Sequence, residues 1–342
     1  MKKLFEKELY GVKFWWLAII PIIGLIGVII GSGNDLAISK VIVNQDDWAS
    51  RFFEGVGMTP AFVLGTIGGA MLCAGLWQTK KIPARIIGIV MLLAAIGAMG
   101  YFNGKYIVDP FAYGPNFTNA FGSKAKLVGM AIGFGLNIII GCVFFFVFRK
   151  KDPVTLIKVG IVVIAITALQ AGILEILKRA AYRPRYRWIA GYTYDANGDW
   201  VLAPEERLEY YRAWYQGWRW FSKSYYSDAA NPLINAASSD YYKSWPSGHT
   251  GMVCVMFALP LVVNGFGVKE EKRTTVGAIC FVIGALFTVL IAYARIRAGA
   301  HYLSDVSTSF FIIGIIVLVL YIVADKLPIH KLPGLKVEQQ EQ

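Results

Sequence analysis

Residues 306–324 read VSTSFFIIGIIVLVLYIVA, nineteen positions without a charge. As a helix this stretch is roughly 28 Å long, close to the ~30 Å hydrocarbon core of a bilayer. A backbone crossing lipid must satisfy its own hydrogen bonds, so the stretch predicts a transmembrane helix. Carried one residue further it is the run 306–325. Seven more runs share its character: 14–32, 59–78, 83–102, 127–148, 155–177, 250–266 and 275–294. The chain has 342 residues, of which 56% are hydrophobic and only 16% charged, with mean hydropathy +0.52. Those values exclude an ordinary soluble domain. The expected fold class is all-α, a polytopic transmembrane helix bundle of about eight spans. The run from 14 is too long for a typical signal segment and is expected to stay as an anchor.

The net charge of +12 is concentrated in short connections. Lys2, Lys3, Lys7 and Lys13 precede the first run. Lys80, Lys81 and Arg85 flank the second gap, and Arg149, Lys150 and Lys151 the fourth. Lys269, Lys272 and Arg273 follow the sixth run, and Lys326, Lys331 and Lys336 the last. Eight spans place all five groups on one side, which the positive-inside rule makes cytoplasmic, together with both termini. This placement accounts for the charge without a nucleic-acid partner. Cys73, Cys142, Cys254 and Cys280 all fall in predicted spans and form no close pair, so neither a disulfide nor a zinc site is expected.

Working outward from 306, three polar clusters fall on the opposite side. The nearest is Arg295, His301 and Asp305. His301 and Asp305 stand four apart at a helix start and share a face. A carboxylate that fixes one imidazole nitrogen leaves the other free to attack a phosphorus atom. A capping Asp beside an interfacial His is the plainer reading. The second cluster is Pro246-Ser247-Gly248-His249, where a helix begins and free backbone N–H groups suit an anion. Here His249 could protonate a leaving alkoxide, or Ser247 could simply cap the helix. The third runs from Lys178 to Arg185. Lys178, Arg183, Arg185 and Arg295 could stabilise a phosphoryl group in transit. Snorkelling towards headgroups suits Arg179 and Arg187, and Glu175 is expected to pair along its helix.

The segment 186–245 is the one sizeable extramembrane loop. Tyr192–Tyr194 and Trp200–Leu202 predict a hairpin around Asn197-Gly198. A calcium-loop pattern starting at Asp195 lacks its glycine, where Trp200 stands, and a plain turn is preferred. From Pro204, the spacing of Leu208, Tyr211, Trp214, Tyr215 and Trp218 predicts an amphipathic helix, a lid or a cap. Within the spans, Gly27 and Gly31, Gly65 and Gly69, and Gly129 and Gly133 predict close helix packing.

Taken together, the three clusters resemble the motifs of the type 2 phosphatidic acid phosphatase and haloperoxidase superfamily. Lys178, six residues, then Arg185 is similar to the first motif, although Tyr186 stands where a proline is usual and Arg183-Pro184 offers an Arg-Pro two residues early. Pro246-Ser247-Gly248-His249 is the second motif intact. Arg295, five residues, His301, three residues and Asp305 is the third, with Ala294 where a serine is usual. The resemblance implies His301 as nucleophile, Asp305 as its partner and His249 as general acid. It implies Lys178, Arg185, Ser247, Gly248 and Arg295 as phosphate ligands, with Arg183 as a possible addition. It also implies a six-span core over 83–325 that includes the 186–245 loop, leaving 1–82 as an additional hairpin and 326–342 as a cytoplasmic tail.

The function expected from this is metal- and cofactor-independent hydrolysis of a lipid phosphate or diphosphate through a phosphohistidine. The site would lie at the outer face of a cell membrane, with membrane lipids as surroundings. Resemblance to bacterial members points to undecaprenyl diphosphate, phosphatidylglycerophosphate or phosphatidic acid. A lipid phosphotransferase, a soluble sugar-phosphate hydrolase and a non-enzymatic lipid-phosphate binding or transport protein are the alternatives. A haloperoxidase suits so apolar a chain poorly.

Overall fold

The computed structural model describes residues 6–108, 124–194, 200–202, 208, 211–216, 242–332 and 335. Two short strands, β1 (Glu8–Leu9) and β2 (Val12–Lys13), lead into α1 (Phe14–Ile42). There follow α2 (Trp48–Val56), α3 (Thr59–Gln78), α4 (Ile82–Ile107), α5 (Ala125–Phe148) and α6 (Pro153–Ala181). A single turn, α7 (Tyr186–Ile189), precedes the hairpin β3 (Tyr192–Tyr194) and β4 (Trp200–Leu202). The chain then forms α8 (Gly248–Val253), a 3₁₀ turn Cys254–Ala258, α9 (Leu259–Asn264), α10 (Glu270–Arg297) and α11 (Leu303–Lys326). Seven of these segments are long and apolar enough to cross a membrane, and the protein is a multi-pass helical membrane protein.

The eighth run expected from the sequence, 250–266, is the exception. It is a broken segment, Gly248–Asn264, in which two short helices flank the 3₁₀ turn. The more extended 3₁₀ rise lets these seventeen residues reach about 28 Å. The residues Gly251–Ala258 are all buried, so neighbouring helices rather than lipid surround the irregular backbone. Pro260 falls at the start of α9, where its missing N–H leaves no bond unmade.

Burial separates inner from outer spans. The apolar window of Trp48–Gln78 is 78% buried, whereas those of α4 and α5 are 17% and 22% buried. Thus α3 is the central span, packed on α4, α5 and α6, and the outer faces of α4 and α5 meet lipid. Small residues make the close approaches. Gly27 and Gly31 of α1 lie against Ser307 and Ser304 of α11. Gly129 and Gly133 of α5 meet Gly104 of α4, and Gly65 and Gly69 of α3 face Met99 and Ala95.

The basic connections gather at one end. There Lys7 pairs with Asp325 at 2.6 Å, Thr274 Oγ1 donates to Glu8 at 2.6 Å, and Gln78 Nε2 donates to the Lys151 carbonyl at 3.0 Å. The polar clusters occupy the other end. The expected hairpin strands form and pair Tyr192 with Leu202 and Tyr194 with Trp200, while the turn lies outside the described residues. Most of the expected 204–218 helix, including Trp218, also lies outside them. Residues 211–216, however, are turn and irregular backbone, not helix. Tertiary contacts override the periodicity: Trp214 stacks on Trp245 at 5.4 Å and donates to Ser32 Oγ at 2.8 Å, and Tyr211 meets Tyr302 edge-on.

Candidate active site

Local chemistry starts and stops the segments that carry the clusters. Asp152 caps α6 by accepting from the Thr155 N–H at 2.8 Å, and α6 ends where Tyr182 turns left-handed at φ 47°. The released segment 182–185 then meets the other two clusters. Ser244 N–H donates to the Arg183 carbonyl at 3.0 Å, and Ser247 N–H to the Asp305 carbonyl at 3.1 Å. Arg187 N–H donates to the Gly299 carbonyl at 2.8 Å. Gly299 has φ +61°, and a Cβ there would sit 3.0 Å from the Arg187 side chain, so the third cluster turns back at a position suited to glycine.

One side of this assembly is a cavity of about 710 Å³. Lys178, Arg185, Arg187, Gly248, His249 and Arg295 all line it. The rest of its lining is mixed and includes Glu54, Lys105, Glu175 and Lys243. Its apolar part comes from Met58 just before α3, Phe62 of α3, Met99 and Phe102 of α4, Leu174 of α6 and Met252 of α8. Phe62 and Phe102 stack at 6.3 Å. Phe102 is also 39% exposed on the lipid-facing surface of α4, so the apolar arm of the cavity reaches the edge of the bundle.

His301 is buried beside the cationic end. Its Nδ1 donates to the Ser244 carbonyl at 2.5 Å. A carbonyl only accepts, so Nδ1 carries the proton and Nε2 keeps the lone pair. Burial, reinforced by the charges of Arg185, Arg295 and Lys178, holds this imidazole well below its ordinary value of 6.5. The ring is therefore neutral at physiological pH. Asp305 does not fix the ring directly, as the spacing suggested. It lies 3.7 Å from Nδ1, outside hydrogen-bond reach. Its Oδ2 instead accepts from Ser244 Oγ at 2.5 Å and from Tyr302 N–H at 2.8 Å. Asp305 thus caps α11 and holds the Ser244 segment whose carbonyl orients His301.

His249 begins α8, and its Nε2 donates to the backbone carbonyl of Glu54 at 2.9 Å. Ser247 caps that helix, its Oγ accepting from Thr250 N–H at 3.3 Å and from Thr250 Oγ1 at 3.0 Å. The capping reading of Ser247 is therefore realised, while Gly248 rather than Ser247 lines the cavity.

Arg183 and Arg185 part company. Arg185 faces the cavity. Arg183 is fully buried away from it, with Nη1 donating to Asp305 Oδ1 at 2.5 Å and to Ser304 Oγ at 2.8 Å. Its Nη2 reaches Asp35 at 2.9 Å, and its guanidinium lies 4.0 Å from the Tyr302 ring centre. Asp35 also accepts from Ser304 N–H at 2.9 Å and from Ser304 Oγ. Arg187 does not snorkel. It is 2% exposed, and its Nη1 lies 3.1 and 3.3 Å from the two carboxylate oxygens of Glu54. Glu54 lies 2.7 Å from Arg295 Nη1 as well. Arg179 pairs with Glu175 at 2.9 Å on the surface.

Sequence reasoning missed Asp35 and Glu54. Both lie between the apolar runs 14–32 and 59–78, where the sequence predicts only a connection. The available signal was an acid on a continuing helical pattern: α1 runs ten residues past the apolar run that predicted it.

A multi-span bundle whose cavity is lined by cations, His249 and an apolar arm, with His301 buried beside the cationic end, has the parts of a membrane phosphate-ester hydrolase. Residues 159–328 match the family model described as the PAP2 superfamily. Members of that superfamily are phosphatases acting on phosphate esters, often those of lipids. No curated protein and no solved structure matches the chain. The match spans all three clusters and excludes Asp35 and Glu54.

Proposed function

We propose that the protein hydrolyses a lipid phosphate or diphosphate without metal, through a phosphohistidine on His301. The observation that carries this reading is a single cavity with a cationic end and an apolar arm reaching lipid-facing Phe102. Such a cavity suits a phosphorylated headgroup whose tail remains in the bilayer. Nε2 of His301 attacks phosphorus, and the bond to the leaving oxygen breaks. Lys178, Arg185 and Arg295 stabilise the charge spread over the phosphoryl oxygens. Nε2–H of His249 is donated to the Glu54 carbonyl, so Nδ1 holds a lone pair. Nδ1 takes up the proton that a singly ionised phosphate ester brings and passes it to the leaving alkoxide as the phosphorus–oxygen bond breaks. Water then attacks the phosphorus–nitrogen bond, its proton returns to His249, and phosphate leaves. Asp305 acts through Ser244 as a positioning residue.

The basic end faces the cytoplasm in this reading, because it carries the lysine and arginine connections. The active site then opens outside a bacterial plasma membrane. Residues 83–325 form the catalytic core in this reading, and 1–82 are an addition that packs α1 on α11, sets α3 at the centre of the bundle and contributes Glu54 and Phe62 to the cavity wall.

The test is phosphate release from a panel of lipid mono- and diphosphates, in detergent with chelator present. Activity should persist with chelator and vanish in His301→Ala. Equal activity in the two proteins, or loss on chelation, contradicts the mechanism.

A further inference from the structure

We propose that Glu54 is a resident anion of the phosphate cradle that weakens its grip on phosphate and so promotes product release. The proposal rests on reading the cavity as a phosphate-ester site. Glu54 is 3% exposed and lines the same cavity as Lys178, Arg185, Arg187 and Arg295. Its carboxylate lies within ion-pair distance of two of those arginines, 2.7 Å from Arg295 and 3.1 Å from Arg187. It therefore shares cations with any phosphoryl group that binds there.

Glu54 is also anchored. Its backbone carbonyl takes the proton of His249 Nε2. The segment leading to α2 is latched to the end of α10, with Asn44 N–H donating to the Arg297 carbonyl at 2.8 Å and Arg297 Nε to Asp47 at 2.9 Å. Beyond it, a Cβ on Gly57 would fall 2.6 Å from Ile291. A carboxylate fixed this way stays when phosphate arrives, and the two anions repel.

The benefit is kinetic. Four clustered cations without a counter-charge would hold free phosphate as firmly as the reacting group, and such uniform binding does not raise turnover. A fixed negative charge lowers affinity for the free dianion. It also neutralises part of an otherwise costly cationic cluster. Unit charges several ångströms apart in a protein interior interact strongly enough that removing Glu54 should tighten phosphate binding by at least ~tenfold.

Competitive inhibition by inorganic phosphate tests this, with KM, kcat and calorimetric phosphate binding measured beside it. The full chain in detergent is compared with Glu54→Gln and, should that variant fail to fold, Glu54→Ser. Removing the charge should lower both Ki and KM, with kcat no higher than in the parent. If Glu54 only orients Arg187 and Arg295, both constants rise, and the proposal is overturned. Unchanged constants overturn it too. Lipid turnover by the parent without tighter binding in the variant sinks this inference and spares the proposed function. Tighter phosphate in the variant with no lipid turnover by the parent does the reverse. No phosphate binding by either protein removes both.

Discussion

Two arginine clusters sit side by side at one end of this bundle and meet opposite fates. Around Arg183, the carboxylates of Asp35 and Asp305 neutralise the guanidinium, and all three side chains are fully buried. Around Arg185 and Arg295, Glu54 pairs with Arg187 and Arg295, and the cluster opens on a cavity that Lys178 and Arg185 also line. The first cluster is sealed and holds α1, α6 and α11 together. The second faces a space that can hold an anion. Charge near a motif is therefore a poor guide to role, and the presence of a buried counter-charge is a better one.

The sharpest way to break this comparison is to replace each arginine alone. Arg183→Gln leaves Asp35 and Asp305 buried without their shared partner. The expected loss is about 3–5 kcal/mol of stability, read as a lower thermal midpoint in detergent. Arg185→Gln should keep the midpoint and lose activity, roughly 10²–10³-fold in kcat/KM, as for removal of one stabiliser of developing charge. A folded, inactive Arg183 variant beside an active Arg185 variant would reverse the two assignments.

His301 gives a pH prediction with a definite sign. A ring held below its ordinary value stays neutral as the pH falls to 6.5, where a free imidazole is half protonated. Its ¹⁵N signals, assigned with His301→Gln, should remain those of a neutral ring protonated at Nδ1. Half-protonation at 6.5 or above would contradict the burial argument. The smallest effect belongs to Ser244. Ser244→Ala removes the hydroxyl donated to Asp305 and keeps the carbonyl that orients His301. A loss of about 1 kcal/mol in stability is expected, with most activity retained. Full inactivation by this change would mean that the Ser244 hydroxyl, and not the surrounding backbone, sets the carbonyl that orients His301.

The apolar runs and the three polar motifs were legible because each is local. A run near twenty residues long specifies a span, and Ser247 or Asp305 announces a helix start. The first-motif register was not legible. In an extended segment Arg183 and Arg185 would share a side, and the buried carboxylates of Asp35 and Asp305 draw Arg183 away. Asp35 and Glu54 themselves were invisible as site residues. Their partners lie more than a hundred positions away, across the α1–α11 contact and the latch between α2 and α10. Arg187 was misjudged for the same reason, since its ion pair exists only once α2 is in place. The broken span 248–264 escaped because a run judged by composition does not reveal that protein, rather than lipid, will surround it.

The central claim is that His301, buried beside the open cluster, receives the phosphoryl group. Rapid acid- and base-quenched turnover of a ³²P-labelled lipid phosphate tests it most directly. A base-stable, acid-labile phosphoprotein should form in the parent, map to the peptide carrying His301, and be absent from His301→Ala. Label on another residue, or the same label in the His301→Ala variant, would contradict the account.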